Sequence, residues 1–204
     1  MERTTERGFL VLADISGFTA FVTTTDLEHG PPIIAELLEV VIERLAPPLE
    51  IQEVEGDAVF AFALDRTLVP AATLLDVVDD AFAAFRARRR GLAADDSCSC
   101  NACRSVGNLD LKVIAHHGAF LRQTVAGRPQ LSGTNVILAH RLLKNRLARS
   151  AEYLLLTEAA LACMDIDPTA VGLMAQSERY EHLGDVRCFV SEPGSIARVL
   201  SAAS

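Results

Sequence analysis

Asp14 closes the apolar run FLVLA at residues 9–13, and Asp57 follows Gly56 between two further apolar runs. If the first run is a strand lying beside a hairpin built on Gly56 and Asp57, the two carboxylates meet at one edge of a sheet. Hard divalent cations such as Mg2+ or Mn2+ take one or two carboxylates, with water and phosphate oxygens in the remaining positions. Directly after Asp14, the turn Ser16-Gly17-Phe18-Thr19 leads into a helix N-terminus, whose free N–H groups suit phosphate. The plainer alternative has Asp14 capping that helix and Asp57 serving as a turn residue.

A second cluster is made of sulfur. Cys98, Cys100 and Cys103 fall within six residues, a density that suits a structural Zn2+ held by thiolates and one further ligand. His116 or His117 on the following strand, or a cysteine of a second subunit, are the candidates for that ligand. Against this stands a loop with three reduced thiols. Cys163 and Cys188 lie in apolar segments and read as buried fillers.

The surrounding elements follow from periodicity and punctuation. Residues 9–14 read as a buried central strand. Residues 26–32 (DLEHGPP) form a loop, after which Ile33, Ile34, Leu37, Leu38, Val41, Ile42 and Leu45 recur at helical spacing until Pro47 and Pro48. Residues 49–55 and 58–63 read as a hairpin around Gly56 and Asp57. A long helix over about 73–90 ends in Arg86, Arg88, Arg89 and Arg90, cations that either complement a helix C-terminus or form a nucleic-acid patch. Residues 109–117 and 119–125 look like a hairpin pivoting on Gly118. Residues 133–146 read as a helix, 153–156 as a strand, 157 as the start of another helix, and 187–190 as a last strand. The plan is α+β with a largely antiparallel sheet, one domain over residues 1–204 with a polar insertion at about 91–107.

Composition bounds the rest. In 204 residues, half are hydrophobic, and 27 acidic side chains face 19 basic ones for a net charge of −8. Abundant apolar residues argue against disorder, and the acidity argues against a dedicated nucleic-acid binder. No apolar run reaches the ~18 residues of a membrane span. The acidic start lacks a signal-peptide pattern. A cytoplasmic protein with reduced thiols is the expectation.

Four motifs, in order, resemble the class III adenylate and guanylate cyclases. Residues 12–19 (LADISGFT) resemble the family's metal-binding opening, and residues 53–58 (EVEGDA) its second metal motif. Residues 111–118 (LKVIAHHG) are similar to the strand and turn before its dimer arm, and residues 133–142 (GTNVILAHRL) to the helix of transition-state residues. The resemblance implies a ferredoxin-like cyclase fold working as a head-to-tail homodimer. One subunit would hold two Mg2+ or Mn2+ ions through Asp14, Asp57 and Ile15, and a nucleoside triphosphate along Ser16, Gly17, Phe18 and Thr19. The other would contribute Arg141, which stabilises charge as the ribose 3′-hydroxyl attacks the α-phosphate and pyrophosphate leaves. Glu53, with Gln130 as its partner, falls at the base-reading position. A carboxylate there accepts hydrogen bonds from guanine, which favours GTP modestly over ATP; Glu53 as a solvated strand residue is the alternative.

The pattern also breaks. Ile137 stands where the family has an asparagine, one turn before Arg141, and Asn135 lies about 200° away around the helix. The family's phosphate lysine near the C-terminal strand has no counterpart in His182-Leu183-Gly184. The cysteine insertion is similar to that of a divergent bacterial cyclase-like branch of unknown function. The sequence therefore implies a slow or altered nucleotidyl cyclase, or alternatively a catalytically inactive nucleotide-binding and dimerisation module in signalling.

Overall fold

A computed structural model describes residues 3–67, 72–95 and 98–203. Its elements run β1 (Arg3–Ser16), α1 (Phe18–Thr24), α2 (Gly30–Leu45), β2 (Glu50–Glu55), β3 (Ala58–Leu64), α3 (Ala72–Ala93), α4 (Asn101–Ser105), a single 3-10 turn (Val106–Asn108), β4 (Asp110–Val125), β5 (Arg128–Ser132), α5 (Thr134–Leu142), β6 (Tyr153–Thr157), α6 (Glu158–Cys163), β7 (Ala175–Tyr180), β8 (Gly184–Ser191) and α7 (Ser195–Ala203). The strands form one sheet in the order β2-β3-β1-β4-β6-β8-β7, with β5 folded back on β4. All pairings are antiparallel except β4 with β6. This is the α+β architecture with a mostly antiparallel sheet that the sequence implies.

Strand β1 sits at the centre because it can be buried on both sides. Phe9, Val11, Ala13 and Ile15 face one core, against Leu37, Val41 and Leu45 of α2 and Phe82 and Phe85 of α3. Leu10 and Leu12 face a second core under α5, with Phe60, Phe62, Ile114 and Phe120. Alternation places Asp14 on the face of Leu10 and Leu12, one step past the last apolar residue. Burying side chains of this size contributes ~1.5–3 kcal/mol each, so the register that fixes Asp14 is strongly held.

Several expectations need correction. No hairpin turns at Gly118; β4 continues straight through it, and the turn comes at Ala126 and Gly127, both with positive φ. Gly118 keeps the strand extended because it faces Gly8 of β1 and leaves room for a neighbour. A Cβ there would stand 2.5 Å from Asn135 Cγ. The helix expected over 133–146 is α5 and stops at Leu142. Cys163 is exposed rather than buried, while Cys188 is buried. The segment around 91–107 is partly helical: α3 runs on to Ala93 and α4 follows, with residues 96 and 97 outside the described residues. Three of the four arginines of α3 pair with carboxylates of the fold. Arg86 forks onto Glu152 at 2.8 and 2.6 Å, Arg88 pairs with Glu36, and Arg89 pairs with Asp110. Neither β7, which alternates exposed and half-buried residues, nor α7 is among the elements expected.

Candidate functional site

The register of three strands builds the site. Asp14 pairs with Ala58 of β3 on one side and with Lys112 of β4 on the other. Asp57 is the residue before Ala58, in the tight turn that Gly56 makes with φ +61°. Its carbonyl accepts from the Ile15 N–H at 3.1 Å, which locks the turn against the end of β1. The two carboxyls are near enough to interact electrostatically. Burial first, and the Asp14 charge second, push the Asp57 carboxyl up to about 6.

Beyond Asp14 the chain turns through Gly17, whose φ of +87° and 3.0 Å Cβ clearance to the Asn108 carbonyl exclude a larger residue without strain. No side chain caps α1, so Asp14 does not serve as its N-cap, the first alternative raised by the sequence. The Ser16 hydroxyl donates to the Ala151 carbonyl at 2.7 Å. Asp14, Ile15, Ser16, Gly17, Thr19 and Asp57 line one shallow pocket, and Phe18 lines it with them.

Lys112 also lines it, and sequence reasoning missed it. Its Nζ lies 2.7 Å from Asp14 Oδ2, with both side chains mostly buried. Only the pairing of β1 with β4 reveals this, since cross-strand neighbours interact irrespective of their separation along the chain. The donor set fits a hard divalent cation: two oxygen-only side chains, one at a strand end and one in the neighbouring hairpin turn, whose charges repel, beside the Gly17 turn. Such a cation would offset the burial and the repulsion that raise Asp57.

The other predicted site residues lie elsewhere. Glu53 and Gln130 come together, lining a second cleft between β2 and β5 with Gln52 and Arg128. A register shift between Ile51 and Glu53 re-aims that strand, and Gln52 Nε2 donates to the Pro129 carbonyl at 2.9 Å. Arg141 lines a third depression with Glu55, Ile137 and His140. It is not among the residues lining the Asp14–Asp57 pocket. Ile137 is 53% exposed.

Asn135 is turned inward, as its displacement around the helix requires. Its Oδ1 lies 2.9 Å from His116 Nε2, and its Nδ2 donates to the Ala119 carbonyl at 2.7 Å. His116 Nδ1 lies 2.9 Å from Thr157 Oγ1, which also accepts from the Ala160 N–H. The network assigns the proton to Nε2, and burial holds the imidazole below its usual range and neutral. This pins α5 and α6 to β4.

His116 and His117 are therefore not partners of the cysteine cluster. His117 lies 2.9 Å from Asp65 and stacks at a tilt on Phe9. The histidine that does approach the thiols is His29, from the loop before α2, with Nε2 4.0 Å from Cys98 Sγ.

The fold and its two-carboxylate edge define a class. The adenylyl cyclase CyaB from P. aeruginosa superposes with a TM-score of 0.70 at 15% identity, covering 93% of this chain and 95% of that one. The guanylyl cyclase Cya2 gives 0.71 at 14% identity over 95% and 96%. The guanylate cyclase domain of RhGC from Catenaria anguillulae, in complex with GTP, gives 0.63 at 13% identity over 95% and 100%. The chain has the fold of adenylyl and guanylyl cyclase domains.

A family model described as "Protein of unknown function (DUF2652)" matches residues 34–153, and the chain belongs to that family. "Uncharacterized protein Rv2561/Rv2562" of Mycobacterium tuberculosis is 36% identical over 132 residues, which is 65% of this chain. The chain spans 60% of the length of that curated relative. Among the described residues, no helix is long and apolar enough to cross a membrane.

Proposed function

We propose that residues 1–204 act as one cyclase-like unit that binds a nucleoside triphosphate with Mg2+ or Mn2+ and turns it over slowly or not at all. The observation that carries this is the meeting of Asp14 and Asp57 in one pocket with the Gly17 turn, where burial and the Asp14 charge raise the Asp57 carboxyl. Asp14, Asp57 and the Ile15 carbonyl would hold the cation, which lowers the pKa of an attacking hydroxyl and neutralises phosphate charge. The Lys112 ammonium, now on Asp14, would swing to the phosphates once a cation takes that carboxylate. The backbone from Ser16 to Thr19 would receive the outer phosphates.

Arg141 and the Glu53–Gln130 cleft are assigned to the same reaction from the partner subunit of a head-to-tail homodimer. Their separation from the aspartate pocket supports that division, as does the likeness to cyclase domains. Glu53 favours GTP over ATP by accepting from guanine. A second reading, an inactive nucleotide-binding module, is favoured by Ile137: an exposed alkyl side chain offers no hydrogen bond where the family has an amide.

Calorimetric titration with Mn2+ plus GTP or ATP, alongside an assay for cyclic product, tests both. We expect Mn2+-dependent binding that weakens at least ~10-fold in Asp14→Asn and Asp57→Asn, with little cyclic product. Binding that is unchanged in both folded variants overturns the site.

A further inference from the structure

We infer that His29, Cys98, Cys100 and Cys103 form a tetrahedral zinc site that clasps the cysteine segment to the loop between α1 and α2. The ligand atoms of His29, Cys98 and Cys100 all lie within 4.8 Å of one another. Cys103 stands one helical turn on from Cys100, whose Sγ accepts the Cys103 backbone N–H at 3.4 Å, and all three thiols are free. With Zn–S near 2.3 Å and Zn–N near 2.0 Å, neighbouring donors of a tetrahedral ion stand roughly 3.3–3.8 Å apart. The 4.0 Å between Cys98 Sγ and His29 Nε2 is already close to that scale.

The histidine is set for metal binding by its own neighbours. Asp26 Oδ1 lies 3.1 Å from His29 Nδ1 and also accepts the backbone N–H groups of Glu28 and His29 at 3.1 and 2.9 Å. A carboxylate there holds the proton on Nδ1 and leaves the Nε2 lone pair facing the thiols, the arrangement by which proteins orient a zinc-bound imidazole.

The segment needs such a tie. Of its side chains between residues 98 and 106, only Ala102 and Val106 are fully buried. Among the described residues, a polar link to α1 runs from Asn101 Nδ2 to the Thr24 carbonyl at 2.6 Å. A short segment with so little apolar burial is where a metal supplies folding free energy. Soft thiolates select Zn2+ over the hard ions that suit Asp14 and Asp57, so this site is chemically separate from the carboxylate pocket and independent of nucleotide binding.

The test is metal analysis and Co2+ substitution of the full chain. Protein purified from zinc-supplemented cells should carry about one zinc per chain. The metal-free protein, titrated with Co2+ alone, should develop thiolate-to-cobalt absorption and the intense visible bands of a tetrahedral ion. His29→Ala should weaken Co2+ binding at least ~10-fold and change those bands, whereas His29→Cys should keep tetrahedral spectra with stronger charge transfer. Asp26→Asn should weaken binding about 10–100-fold. Cys100→Ser and Cys103→Ser should abolish the charge-transfer band. Because cysteine variants can fail to fold, the wild-type titration stands alone. Absence of thiolate–cobalt absorption there overturns the site, as does unchanged affinity and spectrum in folded His29→Ala.

Discussion

At the scale of single residues, the chemistry of Asp57 is set by two forces that burial alone would not separate. Desolvation disfavours its charged form, and the neighbouring Asp14 adds repulsion, so its carboxyl sits at about 6. Because the folded value lies above that of an unfolded chain, the contribution to stability is fully present below the unfolded value of 3.8 and is lost as pH rises through 6. The full shift corresponds to ~3 kcal/mol, but Asp57 is only partly buried and water screens it, which leaves about 1 kcal/mol. Asp57→Asn in metal-free protein should therefore raise the melting temperature at pH 8 and leave it unchanged at pH 4. Thermal melts at the two pH values check this, and equal effects at both would remove the electrostatic account. Cation binding must displace the Asp57 proton, so Mn2+ affinity should fall ~10-fold per pH unit below 6, measurable by calorimetry between pH 5 and 7.

Ile137 makes the complementary prediction. An oriented hydrogen-bond donor lost from a transition state costs about 10²–10³ in rate, and this side chain is exposed and free to be replaced without disturbing a core. Ile137→Asn should raise cyclic-nucleotide formation by at least ~10-fold with unchanged triphosphate affinity. A gain in affinity without a gain in turnover would place the defect elsewhere, in the missing lysine contact.

Among the elements, β4 shows how far the sequence could be read. Asp14 was legible because it closes an apolar run, and Asp57 because it follows Gly56 between two runs, patterns that map onto a strand end and a hairpin turn. Gly118 misled, since a glycine between two apolar runs resembles a turn, and only the sheet explains it: Gly8 lies opposite and the Asn135 amide fills the space of the absent Cβ. Lys112 could not be assigned without register, and His29 could not be assigned without the tertiary packing that brings a loop at residue 29 to thiols near 100. Strand β7 escaped notice because its edge position leaves it polar. The Asn135 contact is testable. Gly118→Ala should expel the amide, breaking its bonds to Ala119 and His116 and costing about 2–3 kcal/mol. Adding Asn135→Ala should recover part of that loss, because the two changes share one space. Denaturant titrations of the single and double variants measure the coupling, and strict additivity would contradict it.

For the whole molecule, the placement of Arg141 matters more than its identity. It opens on a depression with Ile137 and Glu55, while the carboxylates open on the pocket lined by the Gly17 turn. A head-to-tail dimer with twofold symmetry would bring the Arg141 depression of each subunit over the carboxylates of the other, creating two composite sites. Metal and triphosphate would then bind the dimer better than the monomer and shift association by mass action, seen as heavier sedimentation with Mn2+ and GTP than without. The stronger expectation is complementation in the Ile137→Asn background. Asp14→Asn dimers and Arg141→Ala dimers should each be inactive, because every composite site has lost one half. Mixed and allowed to exchange, half of the dimers become hybrids carrying one intact and one doubly defective site. Turnover should return to about a quarter of that of the parent. If Arg141 instead served its own subunit's aspartates, no hybrid would contain an intact site, and the mixture would stay as inactive as its components.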